Sequence, residues 1–261
     1  MRKYWSILQI QLANRLAYTG DLLAQSTSIV VFLFVFLQLW KTTYSALDTD
    51  EIAGLTLADT LWYLMLAETI ILSKPRLART ITATVKDGSI AYLLNKPFNF
   101  LLYQMSVGLA DGASSMLFNV LAGGALVWAL VSPPPALWGW PFVLVAVFLG
   151  WLIDFCINVL IGLSAFVAEE TSAFEWVYQK ILFLLGGLLI PLDFYPEWLR
   201  QISLYLPFAY TVYGPARLFV EPSLEGFITL VAGQLLWLSV IGVVVVVVFR
   251  KSTRWLAING G

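Results

Sequence analysis

Three carboxylates stand inside stretches otherwise nearly free of charge: Glu68, Asp111 and Asp154. An acid at membrane depth is costly in lipid, so each is a candidate proton carrier or substrate contact, or else a satisfied interhelical hydrogen bond. Asp154 reads as the deepest; Glu68 stands six positions before Lys74, and Asp111 nears the surface if its helix projects beyond the lipid. The side chains that would work with these acids are scarce. The 261-residue chain has no histidine, the commonest zinc ligand and general base, and its one cysteine, Cys156, closes no disulfide within the chain. Ser-His-Asp and metal-hydrolase chemistry are thereby excluded, and no catalytic residue or metal site is assigned. A membrane-embedded enzyme acting on a lipid-linked substrate would have to use Asp154 or Glu68 as base, without an acid pair at catalytic spacing or a nucleophile motif. An ion-coupled secondary carrier would use the same acids as proton sites, but the internal repeats of many such carriers are missing.

The elements that must position these residues follow from composition. The chain is 60% hydrophobic and 12% charged, where a soluble domain is roughly a quarter charged, so this is an all-α integral membrane protein. With 15 Lys+Arg against 16 Asp+Glu, the net charge of −1 provides no field for nucleic acid. The uncharged gaps predict six transmembrane helices, at about 22–40, 57–73, 100–131, 138–168, 174–192 and 226–249, in a single transmembrane domain spanning 1–261. Twelve Lys/Arg fall on one side of this arrangement, and Lys41, Arg200 and Arg217 on the other. Both termini are therefore expected in the cytoplasm, with the chain multi-pass in the inner (plasma) membrane. The first apolar run begins too deep and lacks a small-residue cleavage site, so it is expected to stay in the mature protein. Residues 1–20 before it carry Tyr4, Trp5, Leu8, Leu12 and Leu16 at helical spacing, the pattern of an interfacial helix.

Two connections are too patterned for simple loops. In the cytoplasmic segment 74–99, Pro75 suits a helix start, and Leu77, Ile81 and Val85 recur every fourth residue while Arg79 and Lys86 face elsewhere. Asp87-Gly88 ends that helix, and Ser89 is placed to cap a second through Leu93 and Leu94, stopped by Lys96-Pro97. Such a segment either rests on lipid headgroups or docks another protein. In the outer segment 193–222, opened by Pro191, the prolines Pro196, Pro207, Pro215 and Pro222 forbid one long helix. Two short helices are expected there, one from Pro196 and one through Tyr210, Tyr213 and Leu218. The eight aromatics Phe194, Tyr195, Trp198, Tyr205, Phe208, Tyr210, Tyr213 and Phe219 favour interfacial depth, which makes the segment re-entrant and a candidate outer gate. Gly186-Gly187 in the fifth span allows close helix approach, either between two copies or within one chain.

The stretches Lys86-Asp-Gly-Ser-Ile-Ala-Tyr-Leu-Leu-Asn-Lys-Pro97, Gly187-Leu-Leu-Ile-Pro-Leu-Asp-Phe-Tyr-Pro196, Tyr205-Leu-Pro-Phe208 and Gly214-Pro-Ala-Arg-Leu-Phe219 resemble the ABC-2 type permeases, in their branch of short bacterial membrane subunits of ABC exporters. The layout matches over nearly the whole chain; one departure is Ala91, at a position often acidic in that family. The resemblance implies an ATP-driven exporter that moves an amphiphilic or hydrophobic substrate out of the cytoplasm or inner leaflet. It implies that 74–99 is a coupling helix, with Arg79, Lys86, Asp87, Gly88, Leu93, Leu94, Lys96 and Pro97 contacting a separate nucleotide-binding ATPase subunit. Gly186, Gly187 and Asp154 would lie at a permease dimer interface or along the pathway, in a homodimer or heterodimer. No G-x-x-x-x-G-K-[ST] loop occurs, so no cofactor is expected on this chain, and ATP and Mg belong to the partner.

Overall fold

The computed structural model describes residues 2–168 and 170–259. Most of the described chain is helix: α1 (Arg2–Ala17), α2 (Thr19–Leu47), α3 (Leu57–Leu72), α4 (Leu77–Lys86), α5 (Ser89–Leu94), α6 (Phe100–Leu130), α7 (Trp140–Leu163), α8 (Ser172–Leu185), α9 (Glu197–Tyr205), α10 (Pro207–Thr211), α11 (Tyr213–Val220) and α12 (Leu224–Asn259). A two-stranded hairpin, β1 (Glu51–Ile52) with β2 (Leu55–Thr56), joins α2 to α3 antiparallel, pairing Glu51 with Thr56 and Ile52 with Leu55.

The fold is built around α3. Leu61, Trp62, Tyr63, Leu64, Met65, Leu66 and Ala67 are all buried, so this helix is enclosed on every side, as an all-apolar helix must be. It packs against α2, α6 and α11. The acid in its first turn is accounted for locally. Asp59 completes a capping box, its carboxylate accepting the Thr56 N–H at 3.0 Å while the Thr56 hydroxyl accepts the Asp59 N–H at 3.2 Å. The opposite pattern holds for α2, α6, α7 and α12, whose outer faces leave large apolar side chains such as Phe34, Leu121, Phe148 and Val247 exposed. A continuous belt of that kind belongs in lipid or against another chain. A second core lies at the end carrying α4 and α5, formed by Ile81, Ile90, Phe100, Ile153, Val159 and Ile241.

Length separates the predicted spans. Four helices among the described residues are long and apolar enough to cross a membrane: α2, α6, α7 with its flanking turns (Leu137–Phe166), and α12 over Leu224–Thr253. The other two predicted spans give shorter helices. At 1.5 Å per residue, α3 with 16 residues is about 24 Å long and α8 with 14 about 21 Å. The expected fifth span to residue 192 is thus corrected: helix stops at Leu185, because Gly187 takes the left-handed conformation at φ +69°. The freed carbonyls find side chains, with the Tyr195 hydroxyl donating to Leu184 O at 2.9 Å and the Tyr63 hydroxyl donating to Gly187 O.

Two further expectations change. The outer segment forms three short helices rather than two, since Val212, at φ −126° and ψ −64°, separates α10 from α11. Its aromatics divide: Trp198 and Tyr205 are exposed, whereas Tyr213 and Phe219 are buried against Tyr63 and Trp62 of α3. Finally, α1 packs along the first turns of α6, with the Tyr4 hydroxyl accepting the Asn99 N–H at 2.7 Å and Arg15 3.1 Å from Asp111. Asp111 is therefore an ion-pair partner for α1, close to the end of the bundle that holds α4 and α5.

Candidate functional site: the anchored basic segment

The segment 74–99 folds as the helical pattern dictates. Leu77, Ala78, Ile81 and Thr82 form the buried stripe of α4, while Arg76, Arg79, Thr80, Ala83 and Lys86 face outward. The stripe seats on α7 at Gly162, where a Cβ would come within 2.6 Å of Ile81 Cβ, so only glycine permits this approach. Thr82 and Thr171 share a hydrogen bond at 2.9 Å, and Arg79 Nε lies 2.8 Å from Glu175 Oε2 at the start of α8. Arg79 is thus both exposed and tied down.

Between α4 and α5 the chain turns at Gly88, with φ +74°, a left-handed conformation that suits glycine. Ser89 does not cap α5 through its side chain. Instead the Asp87 carboxylate accepts the Ser89 N–H at 2.8 Å, and the Ser89 hydroxyl, with that N–H, holds Asp87 below the usual carboxylate range. Beyond the turn, Leu93 and Leu94 lie half-buried against the chain's own second core. The outward positions of α5 are Ala91, Tyr92 and Asn95, and Lys96 Nζ sits 4.5 Å from the centre of the Tyr92 ring. Pro97 is exposed, and its carbonyl accepts a bond from Lys3. Tyr92 is a surface residue that the sequence pattern did not single out, although it directly precedes Leu93 and Leu94.

The same segment is joined to the bundle by a buried ion pair. Lys74 Nζ lies 2.6 Å from Asp154 Oδ1, the Tyr178 hydroxyl donates to the same oxygen at 2.5 Å, and Asn158 Nδ2 donates to Oδ2 at 3.0 Å. A carboxylate so occupied on α7 ties the segment's first residue to α7 and α8 together. Glu68, by contrast, has one buried carboxylate oxygen with no partner among the described residues.

Gly186 and Gly187 are buried within the chain, and a Cβ on Gly187 would lie 2.9 Å from the Tyr63 hydroxyl. The small size of Gly187 serves an internal approach to α3, whereas a Cβ on Gly186 would meet the Leu182 carbonyl of its own helix at 2.5 Å. At the far end, Pro191, Pro207 and Pro215 are buried and Pro196 is exposed at the N-cap of α9. A network that the proline spacing did not reveal joins these short helices: Asp193 lies 3.4 Å from Arg217 and 3.8 Å from Arg200, and accepts a bond from the Tyr213 hydroxyl at 3.2 Å.

A family model described as ABC-2 family transporter protein matches residues 27–260, all of the chain beyond the first turns of α2. The chain belongs to the ABC-2 transporter family. No curated protein matches it. As an ABC-2 permease it is a multi-pass membrane protein of transport, and the anchored 74–99 segment is part of that permease.

The Lys74–Asp154 pair yields a stability test. Lys74→Met leaves Asp154 buried without its cation and is expected to destabilise the protein by about 3 kcal/mol. Lys74→Met with Asp154→Leu removes both charges and should recover most of that loss, as read from denaturant-induced unfolding in detergent. A single variant as stable as the parent would mean that the pair does not hold the segment.

Proposed function

We propose that this permease is the membrane half of an ATP-driven exporter and that residues 74–99 receive a separate ATPase subunit. The observation that supports this reading is the two-sidedness of α4 and α5. One side is fixed to α7 and α8 by Ile81, Thr82, Arg79 and Lys74, so a displacement of the segment must be passed to those helices. The other side presents Arg76, Arg79, Ala83, Lys86, Asp87 and Tyr92 as a solvent-facing surface without an internal role for most of its residues. In this reading Leu93 and Leu94 support the surface from beneath, and Gly88 sets the angle between its halves.

The same reading takes α3 and α8 as short crossings that bring the total to six, with both termini on the cytoplasmic side. Two permeases and two ATPase subunits form the working unit, with ATP and Mg held by the ATPase. The outer helices α9, α10 and α11 act as a gate. Phe194 packs on Trp40 at the end of α2, with ring centres 5.2 Å apart, and Asp193 gathers Arg200 and Arg217, so the segment is held by contacts that part without unfolding a span.

Both parts are testable on the complex purified through its operon partners. Tyr92→Asp together with Lys86→Glu alters only exposed side chains, and is expected to weaken retention of the ATPase subunit about tenfold while leaving the elution profile of the permease unchanged. Full retention and transport in that variant would remove the docking assignment. For the gate, bridging Trp40→Cys to Phe194→Cys with a short bismaleimide, in a Cys156→Ser background, should stop export without releasing the ATPase. Unaltered export in the bridged protein would make the segment an anchor only.

A further inference from the structure

A cavity of about 380 Å³ opens beside the anchored segment, between the end of α3, the start of α4, and α7 and α8. Its wall on α8 is formed by Glu175, Tyr178, Gln179, Leu182 and Phe183, spaced i, i+3, i+4, i+7 and i+8, which is one face of the helix. Along that face the lining changes from polar to apolar over about 12 Å. The end near α4 carries Lys74, Arg76 and Arg79, and the other end carries Ile71, Leu182, Phe183 and Leu188.

The charge at the polar end is unbalanced. Three cations meet one lining carboxylate, Glu175, which Arg79 already engages, while Lys74 is engaged by Asp154. Arg76 is exposed and has no ion-pair partner among the described residues. Gln179 adds an uncharged amide at the same end, while the Asn158 amide is engaged by Asp154. A guanidinium, an ammonium and an amide around an opening are suited to a phosphate or carboxylate, and an apolar slot leading away from them is suited to an alkyl chain.

We infer that this cleft takes an anionic amphiphile, its acidic head held at Arg76 and Lys74 and its chain laid along α8 against Leu182, Phe183 and Leu188. The cleft is then the place where such a molecule enters the permease from the cytoplasmic leaflet. The direction of travel rests on the exporter reading above, whereas the binding of the ligand does not.

The probe is a dodecyl phosphate with a diazirine near the chain terminus, photolysed in nucleotide-free membrane vesicles containing the permease and its partner subunit. Adducts are mapped by peptide mass spectrometry. The expected result is labelling of Leu182, Phe183 or Leu188 about tenfold stronger than with the matching dodecyl phosphocholine probe. Labelling should fall several-fold in Arg76→Glu, which reverses charge at an exposed position, and in Gln179→Trp, which fills the slot. Unlabelled dodecyl phosphate should compete, and inorganic phosphate should not. Equal labelling by the zwitterionic probe, labelling indifferent to Arg76→Glu, or displacement by inorganic phosphate alone would overturn the inference. Because retention of the ATPase is measured separately, failure here leaves the docking assignment standing, and failure of docking leaves the ligand result standing.

Discussion

Lys74 and Asp154 meet 2.6 Å apart where the enclosed central helix ends and the basic segment begins. A lysine and an aspartate removed from water lose hydration that neither recovers alone, so each fixes the other's place, and Tyr178 and Asn158 complete the shell. Four parts of the chain converge on this point: the end of α3, the start of 74–99, the middle of α7 and the first turns of α8. The remaining contacts of α4 extend from it. Ile81 enters the space that Gly162 leaves open, Thr82 reaches Thr171, and Arg79 reaches Glu175. The segment is a part of the bundle that happens to face outward.

In the proposed coupling, this arrangement would let a short, surface-facing helix pair act on spans it does not itself form. A loop resting on headgroups would absorb a push. A helix wedged into α7 by a glycine contact and tied to α8 by an ion pair transmits it. The cleft along α8 shares walls with that linkage, since Lys74, Arg79 and Glu175 both hold the segment and line the cavity. A ligand head at Arg76 and a partner protein on α4 would therefore act on neighbouring side chains of the same few residues. At the far end the Asp193 network holds α9 and α11 together by charge.

Much of this was legible in the sequence because charges are so sparse. Uncharged runs located α2, α6, α7 and α12, the four-residue recurrence of Leu77, Ile81 and Val85 located α4, and Asp87-Gly88 located its end. What escaped depended on contacts distant in sequence. Nothing local says that Lys74 belongs to Asp154 or Arg79 to Glu175, eighty and ninety-six positions away. The end of α8 is hidden in the sequence because Gly186-Gly187 sits in an apolar run that reads as span, while what ends the helix is the left-handed Gly187, whose carbonyl accepts from Tyr63. Leu93 and Leu94 lie half-buried against the second core, since an amphipathic stripe shows which residues share a face, not which way that face turns. The capping box at Thr56-Leu-Ala-Asp59 was present as a local signal and explains an acid that otherwise appears to interrupt a span.

In the proposed complex α4 and α5 present one face to an ATPase and the other to their own bundle. Single cysteines placed in turn along residues 76–95, in a Cys156→Ser background, test it through photoactivated cross-linking of the assembled complex. The expected pattern is helical: strong adducts to the ATPase subunit from positions 76, 79, 83, 86 and 92, and little from 77, 81, 82, 90 and 93. Adducts spread evenly along the segment, or absent from the outward positions while the complex stays assembled, would contradict it.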